Sequence, residues 1–202
     1  MNRSDRAARA REAFRRAGGI LRTAQAVRAG IHPRDLYALR DAGALEVVSR
    51  GVYRLADLPP LAEPDLAAVS ARIPKAVIAV VSALHFHRLT TEIPHAVSIA
   101  LPKGTSRPRL EWPPLRVYWF SGGLYTEGIE TRARDGVTLK IYGAARSVAD
   151  CFRLRRRLGI EVAVEALRTG LEERIFTPAE ILRVAERLRV AGVVRPYLEA
   201  VQ

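Results

Sequence analysis

The sequence is poor in cysteine, lysine and aromatic residues. Of its 202 residues one is cysteine, 6% are aromatic, and only three of the 33 basic residues are lysine. A single cysteine, Cys151, builds neither a disulfide nor a cysteine zinc site within one chain, which suits a reducing cytoplasm. Its small apolar side chain is expected to be buried in the core.

Long hydrophobic runs are also missing. The longest, residues 76–84, is too short to cross a bilayer. The arginine-rich N-terminus has no apolar signal core, so we expect no export, no membrane partner and a cytoplasmic location. Apolar residues still make up 49% of the chain, which is enough to bury a core and argues against disorder.

Positive charge is the first informative feature of what is present. The net charge is +12 and the isoelectric point is about 10.9. Half of that net charge falls in residues 1–58, where arginines outnumber acidic residues by six. Because a guanidinium group pairs bidentately with phosphates and guanine edges, this basic N-terminus predicts a polyanionic partner.

Three prolines, Pro59, Pro60 and Pro64, divide the chain. Proline removes a backbone donor and disfavours helix before it. We therefore expect an N-terminal module over 1–57, a linker over 58–62 and a larger domain over 63–202.

The pattern of the N-terminal module predicts a winged helix-turn-helix. Glycine, proline and capping residues separate its elements at regular intervals. The expected order is a helix to about Ala17, a strand at 20–21, a helix from Thr23 to Gly30, a helix over 33–42, and strands 44–48 and 51–55 joined by a hairpin turn.

The third helix decides what such a module can do. Helical spacing turns Leu36 and Leu39 inward and places Arg34, Tyr37, Ala38 and Asp41 on the opposite face, with Arg40 on its flank. A face of this kind suits entry into a DNA major groove. Two alternatives stay open, which are an ordinary solvated surface and a module that docks on proteins.

Further DNA contacts are predicted around this helix. Backbone amides at the start of the second helix suit a phosphate, Arg50 lies at the wing tip, and Arg54 follows on the next strand. For Tyr53, a position in the hairpin core is favoured over a DNA contact. The predicted DNA-binding residues are Arg22, Thr23, His32, Arg34, Tyr37, Ala38, Arg40, Arg50 and Arg54.

The larger domain reads as four strands followed by a run of helices, so the predicted fold class is α+β. Apolar side chains on both faces of the strand 115–120 indicate a strand that is covered on both sides. The expected helices are 63–72, 78–88, 144–158, 160–172, 178–190 and 193–200, and the expected strands are 96–102, 115–120, 125–134 and 137–143.

Catalytic patterns are weak in this domain. His85 and His87 point in different directions on a helix, so a shared metal is not expected. Glu130, Asp135 and Lys140 resemble a nuclease pattern only faintly, since the usual Glu-x-Lys is missing. We expect no catalytic residue, metal or cofactor, and the rival hypothesis is a nucleic-acid enzyme that the winged helix targets.

One basic run remains to be assigned. Three interpretations are open for this run, which are a solvated helix face, a second patch for DNA phosphates and a surface for an acidic partner protein. Its members are Arg153, Arg155, Arg156 and Arg157. Just before it, Arg146, Ser147 and Asp150 are expected to lock a strand-to-helix junction by hydrogen bonds.

The block from Gly18 to Leu55 resembles the N-terminal domain of the AbiEi antitoxin family. The matching positions are Gly30, Ile31, Leu36, Leu39, Gly43, Leu45 and the wing sequence RGVYR at 50–54. Weaker similarity occurs at 80–90, 96–104 and 143–159, the last through Arg146, Ser147 and Asp150. The resemblance is therefore strong in the first quarter of the chain and weak beyond it.

This resemblance implies a bacterial antitoxin that regulates its own transcription. Members of the family bind operator DNA at inverted repeats, for which two copies of the protein on the DNA are expected. They also counteract a nucleotidyltransferase-like toxin encoded next to them. The implied partners are therefore double-stranded operator DNA and a cognate toxin protein.

Overall fold

The structure is a computed structural model that describes residues 3–134 and 136–201. These residues form two compact units. The first contains the chain up to Lys75 together with Pro108–Pro113 and the described part of Arg132–Leu139. The second contains Ala76–Arg107, Pro114–Thr131 and the chain from Lys140 onward.

The first unit begins with the predicted winged helix-turn-helix. Strand β3 lies in the middle of a three-stranded sheet and runs antiparallel to both β1 and β2. The elements are α1 (Arg3–Arg16), β1 (Ile20–Arg22), α2 (Thr23–Arg28), α3 (Pro33–Asp41), β2 (Leu45–Ser49) and β3 (Val52–Leu55).

A small apolar core holds these elements together. Phe14 from α1 and Leu36 from α3 are fully buried, and they share one cluster with Tyr53 and Leu55 of β3. The expected position of Tyr53 in the hairpin core is thus confirmed. Glycines end the helices as expected, since Gly30 and Gly43 follow α2 and α3 with positive φ angles of 83° and 69°.

The first unit continues beyond residue 57. Helix α4 (Pro64–Arg72) starts at a proline and buries Leu66 and Val69. It contacts all three strands of the small sheet, so this sheet is covered by α4 as well as by the preceding helices.

Most of a mixed five-stranded sheet of order β6-β5-β4-β8-β7 lies in the second unit, while β7 from Arg132 and β8 up to Leu139 belong to the first unit. Strand β4 pairs antiparallel with β5 and parallel with β8, and β5 pairs parallel with β6. The elements are β4 (Val77–Ile78), α5 (Val80–Phe86), β5 (Val97–Pro102), β6 (Leu115–Phe120), α6 (Gly123–Thr126), β7 (Ile129–Arg134), β8 (Val137–Tyr142), α7 (Ala144–Arg153), α8 (Arg155–Leu158), α9 (Ile160–Glu172), α10 (Pro178–Arg187) and α11 (Ala191–Ala200).

The α+β class is confirmed, with several differences from the expected elements, among them the division of the expected helix 144–158 into α7 and α8 at Leu154. Ile78, the expected first residue of a helix, instead forms the central strand with Val77, and both side chains are buried. The expected strand 125–134 starts only at Ile129, after the short helix α6. Val117 and Tyr118 point to opposite faces of β6 and are both buried, so this strand is covered on both sides there, whereas Trp119 remains 42% exposed.

Gly170 has no room for a side chain. A Cβ atom at this position in α9 would lie 2.2 Å from the ring of Phe176, which is buried. We expect Gly170→Ala to lower the free energy of unfolding by about 1–3 kcal/mol, because overpacking outweighs the roughly 1 kcal/mol gain in helix propensity. Urea unfolding followed by circular dichroism measures this change. Gly192→Ala is the control, since no atom lies within 4 Å of its added Cβ.

Cys151 lies in the core of the second unit, as expected, and is fully buried. Burial raises the pKa of its thiol, so the reactive thiolate is scarce in the folded protein. We expect an aromatic disulfide reagent to titrate about one thiol in denaturant and almost none in the native protein at pH 8. Rapid reaction of the native protein would contradict this packing.

The same burial predicts lower stability in alkali. The pKa values of Cys151 and of the Tyr142 hydroxyl are both raised, mainly by burial. Above about pH 8.5 an unfolded thiol loses a proton that the folded protein retains, so the free energy of the unfolded state falls relative to that of the native state. The free energy of unfolding is therefore expected to be intact below that pH and to decrease as the pH rises further. Urea unfolding at a series of pH values measures the slope.

Candidate nucleic-acid interface

Helix α3 presents an exposed face with the predicted residues. Leu36 and Leu39 are buried, whereas Arg34 and Arg40 are exposed and Tyr37 retains 42% of its surface. Ala38 lies half-buried among them. This arrangement of two cations and an aromatic ring around a small residue matches what a helix needs to approach base edges.

The start of α3 is held by His32 and Pro33. The amide of Arg34 donates to Nδ1 of His32 at 3.1 Å, which makes His32 the N-cap, and Pro33 occupies the first helical position. A neutral imidazole whose Nδ1 accepts a bond carries its proton on Nε2. The exposed His32 ring therefore has a donor left for a phosphate oxygen.

Arg40 is not a free cation on this face. Its Nε and Nη2 donate to Oδ1 of Asp41 at 2.8 and 2.7 Å, and its guanidinium lies 5.2 Å from the centre of the Tyr37 ring. The bond to Asp41 raises the pKa of Arg40. A phosphate or base contact by Arg40 would have to replace this acidic neighbour, whereas Arg34 has no acidic partner among the residues that the structure describes.

The wing is a tight hairpin between β2 and β3. Gly51 has a φ of 74°, a conformation that glycine adopts without strain, and it places Arg50 at the tip. The side chain of Arg50 is 83% exposed, and its Nη1 lies 3.5 Å from Oε1 of Glu111. Arg50 is thus exposed at the wing tip, with one acidic neighbour.

Arg54 is buried, whereas its predicted contact with a DNA phosphate requires an exposed side chain. Only 4% of it is exposed, and its guanidinium donates to the Glu46 carboxylate and to the Pro59 carbonyl oxygen. The burial of Arg54 argues against a phosphate contact, because the side chain ties the hairpin to the segment that follows it. We leave Arg54 out of the candidate interface.

The start of α2 also differs from the expectation. Thr23 is the first helical residue and Arg22 is the N-cap, so Thr23 is not the predicted cap. The Thr23 amide donates to the Gly51 carbonyl oxygen at 2.9 Å, and the Arg22 amide donates to Oε1 of Gln25 at 3.0 Å. These two amides are therefore not free to hold a phosphate, and Thr23 instead fixes the wing turn.

In the second unit, the predicted arginine patch is divided between structural and exposed members. Arg153 pairs with Asp150 and stacks 4.4 Å from the centre of the Phe120 ring, and Arg155 donates to the Phe152 carbonyl oxygen. Arg156 and Arg157 are exposed. Of these two, Arg157 also has its guanidinium 5.3 Å from the centre of the Tyr118 ring.

Asp150 locks the strand-to-helix junction together with Arg146. Oδ2 of the fully buried Asp150 accepts from Nε of Arg146 at 2.9 Å, and Arg146 also donates to the carbonyl oxygens of Glu127 and Leu124. The hydroxyl of Ser147 donates to backbone carbonyl oxygens of Tyr142 and Gly143. The structural role expected for Arg146, Ser147 and Asp150 is confirmed, although Ser147 forms its hydrogen bonds with the backbone and not with Arg146.

The rival hypothesis of a nucleic-acid enzyme, and a metal role for His85 and His87, gain no support from the described residues. His87 contacts the Tyr142 carbonyl oxygen through Nε2, and His85 lies on α5. Asp135 lies outside the described residues, and within the described ones no group of three His, Cys, Asp or Glu side chains is arranged to hold a metal.

No helix among the residues that the structure describes is long and apolar enough to span a membrane.

The segment with the exposed α3 face and the wing also has a recognisable family pattern. Residues 8–56 match the family model of the AbiEi antitoxin transcriptional regulators. The match covers a quarter of the chain, from α1 to the residue after β3, and agrees with the resemblance seen in the sequence. No curated protein matches the chain. The AbiEi match supports a DNA-binding, regulatory antitoxin role for this segment.

Sequence reasoning missed the residues that lie beside the AbiEi-type wing. Glu111 is 61 positions from Arg50, and Trp112 is 47 positions from its partner Asp65. No periodicity or turn motif connects residues so far apart, so no signal in a single sequence would have found them.

Proposed function

We propose that this protein is a transcriptional autoregulator of the AbiEi antitoxin kind. It binds operator DNA near its own gene through the winged helix and counteracts a nucleotidyltransferase-like toxin. The observation that carries the DNA-binding part is the exposed Arg34 and Tyr37 face of α3 beside the Arg50 wing, within a segment that matches the family model. The function involves no catalytic step and no cofactor, and it takes place in the cytoplasm.

The two contact regions have separate tasks. Arg34 and Tyr37 read base edges in the major groove, while Arg50 and His32 contact phosphates. Two copies occupy the two halves of an inverted repeat, since a pseudo-palindromic operator mirrors a two-fold arrangement of the protein.

A salt-titrated gel shift on the DNA upstream of the gene tests the operator claim. Random duplex of equal length is the control. We expect the operator to bind ~10³-fold or more tightly than random duplex at physiological salt. Equal affinity for the two duplexes would contradict sequence-specific regulation and leave only a generic polyanion attraction.

Co-expression with the product of the neighbouring gene tests the antitoxin claim. We expect this protein to relieve the growth arrest that the neighbouring product causes alone. A neighbour without nucleotidyltransferase character, or growth arrest that persists, would remove the toxin from the proposal and leave the regulator. Arg156 and Arg157 are the proposed contact residues of the second unit, because they are its exposed members of the basic run.

The Arg156→Ala/Arg157→Ala variant separates two uses of that patch. Failure to relieve the arrest, with operator affinity unchanged, indicates an acidic protein partner. A salt slope lower by about 2 with the arrest still relieved indicates two phosphate contacts instead.

A further inference from the structure

The wing tip faces an acidic residue from a distant part of the chain. Pro108–Pro113 belongs to the same compact unit as the winged helix, although more than fifty residues separate it from β3. In this segment Oε1 of Glu111 lies 3.5 Å from Nη1 of Arg50. Glu111 is 81% exposed, so the carboxylate reaches Arg50 from the solvent side.

The neighbours of Glu111 hold it in this place. Nε1 of Trp112 donates to Oδ1 of Asp65 in α4 at 3.2 Å, and Pro113 is buried. Since α4 itself packs on the strands that form the wing, the segment and the wing share one support. The carboxylate of Glu111 is therefore attached to the same sheet as the guanidinium that it faces.

We propose that Glu111 is a positioning residue for the wing arginine and competes with DNA phosphate for it. The inference rests on the proposed DNA binding. In free protein the carboxylate holds Arg50 beside the wing, and a phosphate that approaches Arg50 must displace or share it. Glu111 thus weakens the phosphate contact of the wing.

Removal of the contact between Glu111 and Arg50 should therefore strengthen the binding of duplex DNA. We expect Glu111→Gln to raise the affinity for duplex DNA by about threefold to fivefold at low salt, the upper end of what an exposed charge pair contributes. The factor should be similar for operator and random duplex, since phosphates are common to both. It should shrink towards one as salt rises to about 0.5 M, where exposed charges are screened.

Two further variants assign the gain to Arg50. The Arg50→Ala/Glu111→Gln double variant should bind as Arg50→Ala does, within about twofold, because the carboxylate then has no cation to hold. Glu92→Gln is the matched control, an exposed loop glutamate of the second unit with the same charge change. The control should leave the affinity within about twofold of the unsubstituted protein.

Fluorescence anisotropy with labelled operator and labelled random duplex measures all four variants. An unchanged or lower affinity of Glu111→Gln, an equal gain in Glu92→Gln, or a gain that persists without Arg50 would each overturn the role of Glu111. Failure of the proposed operator recognition is distinguishable, because it appears as equal affinity of the unsubstituted protein for both duplexes. The Glu111→Gln gain is measured on each duplex separately and does not depend on their ratio.

Discussion

Replacing Asp150 by alanine should lower the free energy of unfolding by about 3–5 kcal/mol, the largest effect expected for a single side chain in this protein. The carboxylate accepts from Nε of Arg146 at 2.9 Å and from Nε of Arg153 at 3.1 Å. Arg146 is only 2% exposed, so without Asp150 its charge stays buried and uncompensated. Arg146 does not simply swing out, because it also donates to two backbone carbonyl oxygens and lies 4.3 Å from the centre of the Tyr142 ring.

Urea unfolding followed by circular dichroism measures the effect of Asp150→Ala. Glu165→Ala is the matched control, since it also exchanges an acid for alanine in a helix but at an exposed position. We expect the control to remain within about 0.5 kcal/mol of the unsubstituted protein. If Asp150→Ala does not fold at all, Asp150→Asn keeps the shape and still loses the charge. A stability of either variant within about 1 kcal/mol of the unsubstituted protein would contradict the junction as we describe it.

Replacing both Arg34 and Tyr37 by alanine should lower the preference for operator over random duplex by about 100-fold or more. Both side chains are exposed on α3, so their removal leaves the core of the first unit intact. Each good base contact contributes about 1–3 kcal/mol of discrimination, and two of them account for the expected loss. The measurement is a competition between the two duplexes over a range of salt concentrations.

The controls separate base contacts from general attraction. Arg168→Ala removes the same charge from an exposed position on α9 and should leave the preference unchanged. Arg50→Ala should weaken binding to both duplexes alike and reduce the salt slope by about 1, as a phosphate contact does. If Arg34→Ala/Tyr37→Ala likewise weakened both duplexes to the same extent, α3 would be a phosphate-binding helix and not the reading element.

Much of the winged helix could be predicted because its signals are local. The turn at 30–33 contains Gly30 and Pro33, one of which ends a helix while the other starts the next, and Gly51 forms the wing turn. Leu36 and Leu39 recur at helical spacing, so the buried face of α3 follows from the sequence, and the exposed face follows from the remainder. Each of these features depends on a few neighbouring residues, whose backbone preferences act before any distant contact forms.

The sequence by itself determined the order of the elements in the winged helix, the α+β class and the face of α3 that meets solvent. Tertiary structure decided which arginines are available. Arg50 and Arg54 are four residues apart in one hairpin, yet one is 83% exposed at the side chain and the other is 5% exposed. The difference in exposure arises because α4 and the segment around Pro59 pack on the strand that contains Arg54. This packing depends on contacts between residues that are distant in the sequence. For the same reason Glu111 came to lie beside the wing only through the fold.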